Sequence, residues 1–521
     1  MTWIDSALDG CPQQVVINDS KTPSGRAHVG SLRGVLIHDA LARIARERGL
    51  DATFLYGCDD MDAVDEIPYG TGEHYVEHLG KPLFRAPAPP GFEAASMAHA
   101  YFGEFTDTFG MLGVEAGFYS MSRVYAEGRL DGTIDAFLRA SPKVREIYRR
   151  RSGAQRPADW LPFQPVCERC GRIGTTYATD YDGETVAYRC SADVVQWASG
   201  CGARGRISPF GGNGKLPWKL EWAAKWKLFG VSIEGAGKDH MAASGSHEVS
   251  GDLARQVLGS NVPVAVPYEF FTLGGAKMSS SKGIGITASE LARLLPPELL
   301  RYLVLRTQPR RAIDFALDVP ALTKAFVEFE RLWRAAATAE PGPNERQLFS
   351  VSRADTGAEV PEAPTFSPPF DSVLSVVQQP HVRLADHVAS LGVELSHIDA
   401  DWLGRKEAAA RQLISHRPDL AGTVRMLDAT AAARRRETLD ARQLEFLAAC
   451  ARRLAALPHW EGREIQDALF ESARDIGIDP RADAALVFGA LYQVLFGAQT
   501  GPRAGSYLAF IGRHETLQRL G

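Results

Sequence analysis

Two short stretches, far apart in the chain, hold residues suited to binding phosphate. The first, TPSGRAHVGS at residues 22–31, follows a strand pattern and opens a helix pattern. Ser24 and Gly25 permit a tight loop with free backbone amides, and the helix start adds unpaired N–H groups. His28 can donate to phosphate oxygens, and Gly30 lets a nucleotide base approach the backbone. HVGS alone is equally compatible with a helix cap, but the stretch predicts that ATP is bound by Ser24, Gly25, His28, Gly30 and Ser31.

The second stretch, KMSSSK at residues 277–282, lies in a loop bounded by glycines. Its lysines can offset charge that develops on the α-phosphate and on departing pyrophosphate. Alone, it could be a solvated Ser/Lys loop, but its pairing with HVGS favours a nucleotide site. We therefore predict His28, Lys277 and Lys282 as catalytic, and an ATP contact by Lys277, Met278, Ser279, Ser280, Ser281 and Lys282.

Four of the seven cysteines fall in one stretch, as Cys167, Cys170, Cys190 and Cys201. The CxxC pair followed by glycine is typical of a zinc knuckle, in which four thiolates hold one structural Zn²⁺. Free buried thiols are the alternative, since only the first pair has strict knuckle spacing.

The elements around the first stretch predict a parallel sheet. Residues 14–18 and 51–57 read as strands on either side of a helix at 28–48. Helices around 92–112 and 131–151 and a set of hairpins then interrupt this pattern. It resumes with strand-like residues 225–228 and 231–234, a helix at 246–258 and the apolar run 262–273. Ligands of such sheets bind at the carboxyl ends of the strands.

The chain divides by composition into six segments. They are a first sheet half at 1–65, an insertion at 66–215, a second half at 216–275, the region of the second stretch at 276–337, a Pro-rich linker at 338–370 and an all-helical domain at 371–521. The fold class is therefore α/β, a split Rossmann-like catalytic domain with a zinc-containing insertion and an all-α C-terminal domain.

Composition excludes several classes of protein. With 521 residues, 45% of them hydrophobic and 23% charged, the chain is neither disordered nor fibrous. A net charge of -5 gives no global attraction for polyanions but leaves room for local basic surfaces. No apolar run spans a bilayer, few cysteines argue against a disulfide framework, and we expect a protein of the reducing cytoplasm.

His28 to Ser31 resemble the HIGH motif, and Lys277 to Ser281 the KMSKS motif, of class I aminoacyl-tRNA synthetases. Further stretches along nearly the whole chain resemble class I lysyl-tRNA synthetases: CDDMD at 58–62, EHLGKPL at 77–83, EGAGKDH at 234–240 and TGPR at 500–503. Ser280 departs from the family's lysine, and Lys282 could substitute for it.

This resemblance implies ATP-dependent ligation of L-lysine to tRNA(Lys) through lysyl-adenylate, with Mg²⁺ accompanying ATP. It implies that the insertion lies near the tRNA acceptor end, that 276–337 contacts the stem, and that 371–521 binds the anticodon. Within that last domain the notable cations are Arg405, Arg411, Arg417, Arg425 and the run Arg434 to Arg436. The oligomeric state is open, with a monomer favoured.

A lysine site needs carboxylates for the ammonium group and aromatic walls for the carbon stem. From the resemblance and these requirements we expect it to hold Gly25, Asp59, Asp60, Trp218, Asp239, His240 and Tyr268. Asp59 and Asp60 could instead cap a helix. Asp65 and Glu66 replace a basic pair common in the family, which leaves the detail of that loop open.

Three alternatives remain. A glutamyl-type synthetase would need a basic clamp, against which the acidic DDMD and GKDH segments argue. A paralogue could make lysyl-adenylate or lysyl-tRNA for another pathway. An idle tRNA-binding protein would be expected to have lost His28 or the lysines of KMSSSK.

Overall fold

The computed structural model describes residues 1–273, 286–357, 359–379 and 382–521. They form two compact units. The first comprises Met1–Ala292, Leu300–Phe315 and Gln347–Gly357, and the second comprises Arg293–Leu299, Ala316–Arg346 and Ala358–Gly521.

The strands and helices are numbered in chain order. The strands are β1 (Gln14–Lys21), β2 (Asp51–Cys58), β3 (Gly117–Ser120), β4 (Gln164–Pro165), β5 (Thr176–Tyr181), β6 (Val186–Cys190), β7 (Arg204–Ile207), β8 (Gly214–Lys215), β9 (Ile233–Gly237), β10 (Val264–Tyr268), β11 (Phe271–Leu273) and β12 (Ile313–Phe315). The first α-helices are α1 (Thr2–Leu8), α2 (Leu32–Glu47), α3 (Met97–Leu112), α4 (Met121–Ala126), α5 (Asp131–Arg139), α6 (Ser141–Ser152), α7 (Trp218–Phe229), α8 (Lys238–Met241), α9 (Ser246–Leu253), α10 (Ala288–Leu294) and α11 (Pro297–Leu305). The later ones are α12 (Val319–Ala336), α13 (Pro343–Ser352), α14 (Phe370–Val377), α15 (Leu384–Ser390), α16 (His397–His416), α17 (Pro418–Ala421), α18 (Ala429–Arg436), α19 (Ala441–Ala455), α20 (Gly462–Asp475), α21 (Ala484–Phe496), α22 (Ala504–Ile511) and α23 (Arg513–Leu520).

The core of the first unit is a five-stranded parallel sheet in the order β10-β9-β1-β2-β3. β1 pairs with β2 over its full length, from Gln14 beside Asp51 to Lys21 beside Cys58. Helix α2, which follows β1, is buried along almost all of its length. Because β1 is the central strand and the strands are parallel, the carboxyl ends of β1, β2, β9 and β10 share one edge of the sheet. This confirms the predicted α/β fold class.

The insertion between β3 and β9 holds helices α4 to α6 and two small antiparallel sheets. β5, β6 and β7 form one of them, and β4 pairs with β8 in the other. A hydrophobic core joins the three helices to α7 and α9 of the catalytic sheet region. The insertion is therefore packed into the first unit rather than tethered to it.

Three predictions of elements were wrong. Residues 225–228 lie in α7, because Trp222, Trp226 and their neighbours follow a helical spacing that the short window concealed. The single helix expected at 131–151 is two helices, α5 and α6, with Pro142 in the first turn of the second. The expected linker at 338–370 contains α13, whose Phe349, Val351 and Ser352 are buried.

The second unit is helical, and its C-terminal part fits the all-α expectation. Capping boxes at Ser396 and Asp440 fix the starts of α16 and α19. Its core contains one buried ion pair, in which Lys406 Nζ lies 2.5 Å from Glu330 Oε1 and Trp402 donates to the same carboxylate at 2.8 Å. Among the described helices, none is long and apolar enough to cross a membrane.

Candidate active site

A cleft of about 750 Å³ opens where β1, β2, β9 and β10 end. These strand ends and the loops after them supply one part of its wall, and α7 supplies another. The insertion supplies a third part, with Gln164, Ile173, Trp197 and Lys215. Its charged lining consists of six carboxyl groups, Asp19, Asp59, Asp62, Asp65, Glu221 and Glu234, and three lysines, Lys21, Lys215 and Lys225. The excess of carboxyl groups makes the cleft suited to a cationic ligand.

Two of the cleft's lysines are neutralised by carboxylates of the CDDMD stretch. Lys225 Nζ lies 2.7 Å from Asp59 Oδ1 and also donates to Ser20 Oγ at 2.9 Å. Burial alone would lower the pKa of Lys225, but Asp59, together with Tyr119 and Glu221, more than offsets burial and the pKa is raised. Asp59 is therefore occupied by an internal cation.

Lys215 forms a second buried ion pair, with Asp62, and lies 3.3 Å from Glu221 Oε2. Tyr125 Oη donates to the same Glu221 oxygen at 2.6 Å. Burial works against the charge of Lys215, yet its two carboxylates raise its pKa. These contacts fix the floor of the cleft without leaving Lys215 open to an anionic ligand.

Asp19 and Glu234 lie in the cleft without such cations. Among the described residues neither forms an ion pair with Lys or Arg, and Asp19 instead lies 3.4 Å from the buried ring of His38. Glu234 accepts from the Asn18 amide at 2.8 Å and from the Trp226 indole. Burial raises the pKa of both carboxyls to about 7. Each gains from the approach of a cation.

His38 holds this part of the cleft in place. Its Nδ1 lies 2.7 Å from the carbonyl oxygen of Gly34, and its Nε2 accepts from the backbone N–H of Gly235 at 2.7 Å. Burial lowers the pKa of His38 to about 4, so the ring is neutral and can accept that bond.

Aromatic rings form the other wall. Trp218 stacks on Trp222 at 6.0 Å between centroids and meets the His240 ring edge-on at 5.4 Å. Tyr268 ends β10 and also lines the cleft. A Cβ at Gly34 would lie 2.7 Å from Tyr268 Oη and 2.9 Å from Asp19 Oδ2, so only glycine fits there.

The HVGS stretch lies beside both ends of the segment that carries KMSSSK. Val29 N–H donates to the Ile286 carbonyl at 3.0 Å, and Ala288 N–H donates to that of Ala27 at 2.8 Å. On the other side, a Cβ at Gly30 would lie 3.3 Å from the Phe271 carbonyl oxygen and 2.8 Å from the His28 ring. Lys277, Met278, Ser279, Ser280, Ser281 and Lys282 themselves lie outside the described residues.

Known protein families match this chain over most of its length. The family model described as tRNA synthetases class I (K) matches residues 6–355, and an anticodon-binding domain model matches residues 384–521. The chain belongs to the class I tRNA synthetases (K).

Similar full-length relatives of this synthetase are named lysine--tRNA ligase. That of Methanosarcina barkeri is 31% identical and is matched over 96% of this chain and 92% of its own. The relative from Methanopyrus kandleri is 34% identical, and the match covers 97% of this chain and 93% of the relative. The relative from Thermoplasma volcanium is 30% identical, and the match covers 100% of this chain and 98% of the relative.

The synthetase places the predicted site residues unequally. Ser24, Asp59, Trp218, His240 and Tyr268 line the cleft. Gly25 is buried in the loop before HVGS, Ser31 is half-buried at the end of a 3₁₀ turn, and Asp239 is exposed on α8.

The structure does not place Asp60 at the cleft. Its carboxylate accepts from the backbone N–H of Ser122 at 2.7 Å, at the start of α4. Asp60 thus satisfies a helix N-terminus, which is the alternative that the sequence left open. Its buried side chain borders a separate cavity beside β3.

Sequence reasoning missed five charged residues of the synthetase's cleft: Asp19, Lys21, Lys215, Lys225 and Glu234. The i, i+4 spacing of Glu221 and Lys225 on one helix is a signal that could have found one of them. Glu234 lies inside a strand pattern, where a carboxyl group has no obvious structural use, and this is also a signal. Asp19 lies one residue beyond the predicted strand and is part of β1 only in the structure.

The four predicted cysteines of the synthetase come together. Their sulfurs all lie within 4.8 Å of one another, with Cys167 and Cys201 at 3.6 Å and Cys170 and Cys190 at 3.8 Å. A tetrahedral ion with Zn–S bonds of about 2.3 Å needs sulfurs about 3.8 Å apart, so the cluster fits. Cys201 N–H also points at Cys190 Sγ, at 3.4 Å.

Proposed function

We propose that this chain ligates L-lysine to tRNA(Lys) in two steps that use ATP. A lysine carboxylate oxygen attacks the α-phosphorus of ATP, and the bond to the pyrophosphate oxygen breaks, which leaves lysyl-adenylate. The 3′-terminal adenosine hydroxyl of tRNA then attacks the lysyl carbonyl, and AMP departs. The family membership and the names of the full-length relatives support this reaction.

The observation that carries the choice of amino acid is the charge of the cleft. Six carboxyl groups face three lysines, two of which are held in buried ion pairs. A glutamyl-type enzyme would need a free basic clamp at this position. The cleft favours an ammonium-bearing side chain instead.

Asp19 and Glu234 are the residues that we assign to the lysine ammonium group. Glu234 is buried and Asp19 is half-buried, and the hydrogen-bond donors of both carboxyls are neutral, so binding a cation would relieve the cost of their ionisation. Trp218 and Tyr268 would wall the carbon stem, with Gly25 and His240 nearby as resemblance implies. Asp59 would act through Lys225 by holding the cleft's shape.

The nucleotide would lie between HVGS and KMSSSK. Phe271 and Ile286, which flank the second motif in sequence, are held at the first motif in the structure. Lys277 is six residues after Phe271, and Lys282 is four residues before Ile286. A fully extended chain of six residues reaches about 22 Å and one of four residues about 14 Å, and these are the upper limits on the distances of Lys277 from Phe271 and of Lys282 from Ile286. His28, Lys277 and Lys282 would stabilise charge on the α-phosphate and pyrophosphate, and Mg²⁺ bound with ATP would offset part of the phosphate charge.

Structural Zn²⁺ would occupy the four-cysteine cluster. Cys167, Cys170, Cys190 and Cys201 would hold it as thiolates, and the ion would supply folding free energy to a cluster whose own apolar core is small. It would take no part in the reaction.

ATP–pyrophosphate exchange against all standard amino acids, with and without tRNA, tests this function. Exchange with lysine alone, lost in Lys277→Ala, is expected. Exchange with another amino acid would reassign the pocket. Exchange without transfer to tRNA would favour a paralogue of another pathway. No exchange, either with or without tRNA, would favour an idle tRNA-binding protein.

A further inference from the structure

A loop of the insertion is closed at its base by the cysteine cluster. Residues 191–200 run between Cys190 and Cys201. Ser191 N–H donates to the Thr175 carbonyl at 3.0 Å, and Gly202 N–H donates to the Cys190 carbonyl at 2.9 Å. Arg189 adds a contact at 3.1 Å to Asp193 within the loop. The loop's position is therefore set by the same residues that would hold the metal.

Trp197 is the residue that this loop brings to the mouth of the cleft. It lines the same cavity as Trp218 and Asp65, and 36% of its surface is exposed. Its six-membered ring packs against Gly174, where a Cβ would lie 2.5 Å from Cη2. A glycine is thus needed to seat the ring, and the exposed part of the indole is open to a ligand.

The Trp197 indole packs at the surface of the cleft rather than in a buried core. The cores of the catalytic sheet region and of the cysteine cluster do not include it. A partly exposed aromatic ring that lines a cleft is a surface on which an unpaired base of a single-stranded nucleic acid can stack.

We propose that Trp197 is the platform on which an unpaired base of the tRNA 3′ end stacks. This rests on the proposed function, in which the 3′-terminal hydroxyl must reach a lysyl-adenylate in the cleft. A single-stranded end entering that cleft passes its mouth, where Trp197 lies. Stacking there would orient the terminal nucleotide.

The test compares intact tRNA(Lys) with tRNA shortened by its single-stranded 3′ end, using the full-length metal-loaded protein. Trp197→Ala is expected to weaken binding of intact tRNA by about 5- to 100-fold and to leave binding of the shortened tRNA within about twofold. Trp197→Phe, which keeps an aromatic face, should recover most of the loss. Tyr69→Ala, at an aromatic residue that is 74% exposed outside the cleft lining, is the matched control and should change neither affinity.

Equal weakening for both tRNAs would overturn the proposal, and so would an unchanged affinity for intact tRNA. A rise in the KM for lysine with unchanged tRNA affinity would assign Trp197 to the amino-acid pocket instead and also overturn it. Zinc content, measured for each variant, shows whether the loop's base is intact. Wild-type charging of tRNA with lysine is measured first, since its absence would count against the proposed function and not against Trp197.

Discussion

At the scale of single residues, the cleft separates carboxyl groups with an internal cation from those without one. Asp59 is held by Lys225, and Asp62 by Lys215. Asp19 and Glu234 have neutral donors, and burial raises the pKa of each to about 7. This division decides which acidic groups can respond to a ligand.

Lysine binding should therefore strengthen as pH rises from 6 to 8. Below about pH 7 the carboxyls of Asp19 and Glu234 hold protons and carry no charge for the ammonium group. We expect the Kd for lysine to fall by up to about tenfold per pH unit per proton released, and to level off above pH 8. Calorimetry across this range measures it, and Asp19→Asn should flatten the slope.

The matched control is Asp9→Asn, at an exposed carboxyl, which should leave the pH profile unchanged. In the absence of lysine, the raised pKa values of Asp19 and Glu234 make the folded protein less stable as pH rises. Because the folded protein holds these protons more tightly than the unfolded chain, stability falls as pH rises from about 4 to about 7. A Kd for lysine that is constant from pH 6 to 8 would contradict the assignment.

At the scale of elements, helix α2 organises the first unit. Near its start Gly34 and His38 contact the cleft. Further along, Asp39 accepts from Arg301 of α11 at 2.5 Å, and Arg301 also donates to the carbonyls of Val351 and Leu112. One fully buried guanidinium thus joins α2, α3, α11 and α13.

Arg301→Met is expected to lower the free energy of unfolding by about 3 to 5 kcal/mol, because it leaves the Val351 and Leu112 carbonyls buried without their donor and leaves Asp39 with Arg43 alone as its cation. Urea denaturation measures this change. Arg48→Met removes a pair with Asp5 in which both side chains are over a third exposed, and should cost less than about 1 kcal/mol. Similar losses for both variants would show that burial does not set the contribution of Arg301.

Metal removal should act on the insertion and spare the sheet. A chelator is expected to increase hydrogen exchange in β5 and β6, whose end carries Cys190, while β1 and β2 keep their protection. Exchange mass spectrometry with and without added Zn²⁺ measures it. Unchanged exchange in β5 and β6 after the metal has been removed would argue against a structural role.

At the scale of the whole molecule, a net charge of -5 has to be reconciled with a polyanionic substrate. Many arginines are already paired: Arg150 and Arg151 with Asp252, Arg411 with Glu407 and Arg417 with Asp419. In the second unit, Arg425 and Arg434 are exposed and form no ion pair among the described residues. Phosphate contacts would fall to these cations rather than to a general field.

Binding of tRNA should weaken steeply with salt, and the free arginines should carry part of that slope. Removing two phosphate contacts in Arg425→Ala/Arg434→Ala is expected to lessen the slope of log K against log[salt] by about 1.5. Filter binding at several salt concentrations measures it. The control is a double variant at two arginines that are held in ion pairs, Arg411→Ala/Arg417→Ala, which should change the slope less. Equal changes of slope for the two double variants would contradict the distinction between free and paired arginines.

The sequence by itself determined those features that rest on local spacing. The strand, loop and helix around HVGS, the order of the two nucleotide motifs, the four cysteines and the helical C-terminal region follow from patterns within short windows. These patterns work because hydrophobic period and turn chemistry are local properties of the chain.

Only the tertiary structure decided how charges pair and which side chains share the cleft. Lys225 and Asp59 are 166 residues apart, and Trp197 reaches the cleft from the loop between Cys190 and Cys201. The same packing took Asp60 out of the site and turned residues 225–228 into part of a helix. Pairing of buried charges depends on through-space distance and desolvation, neither of which a linear pattern contains.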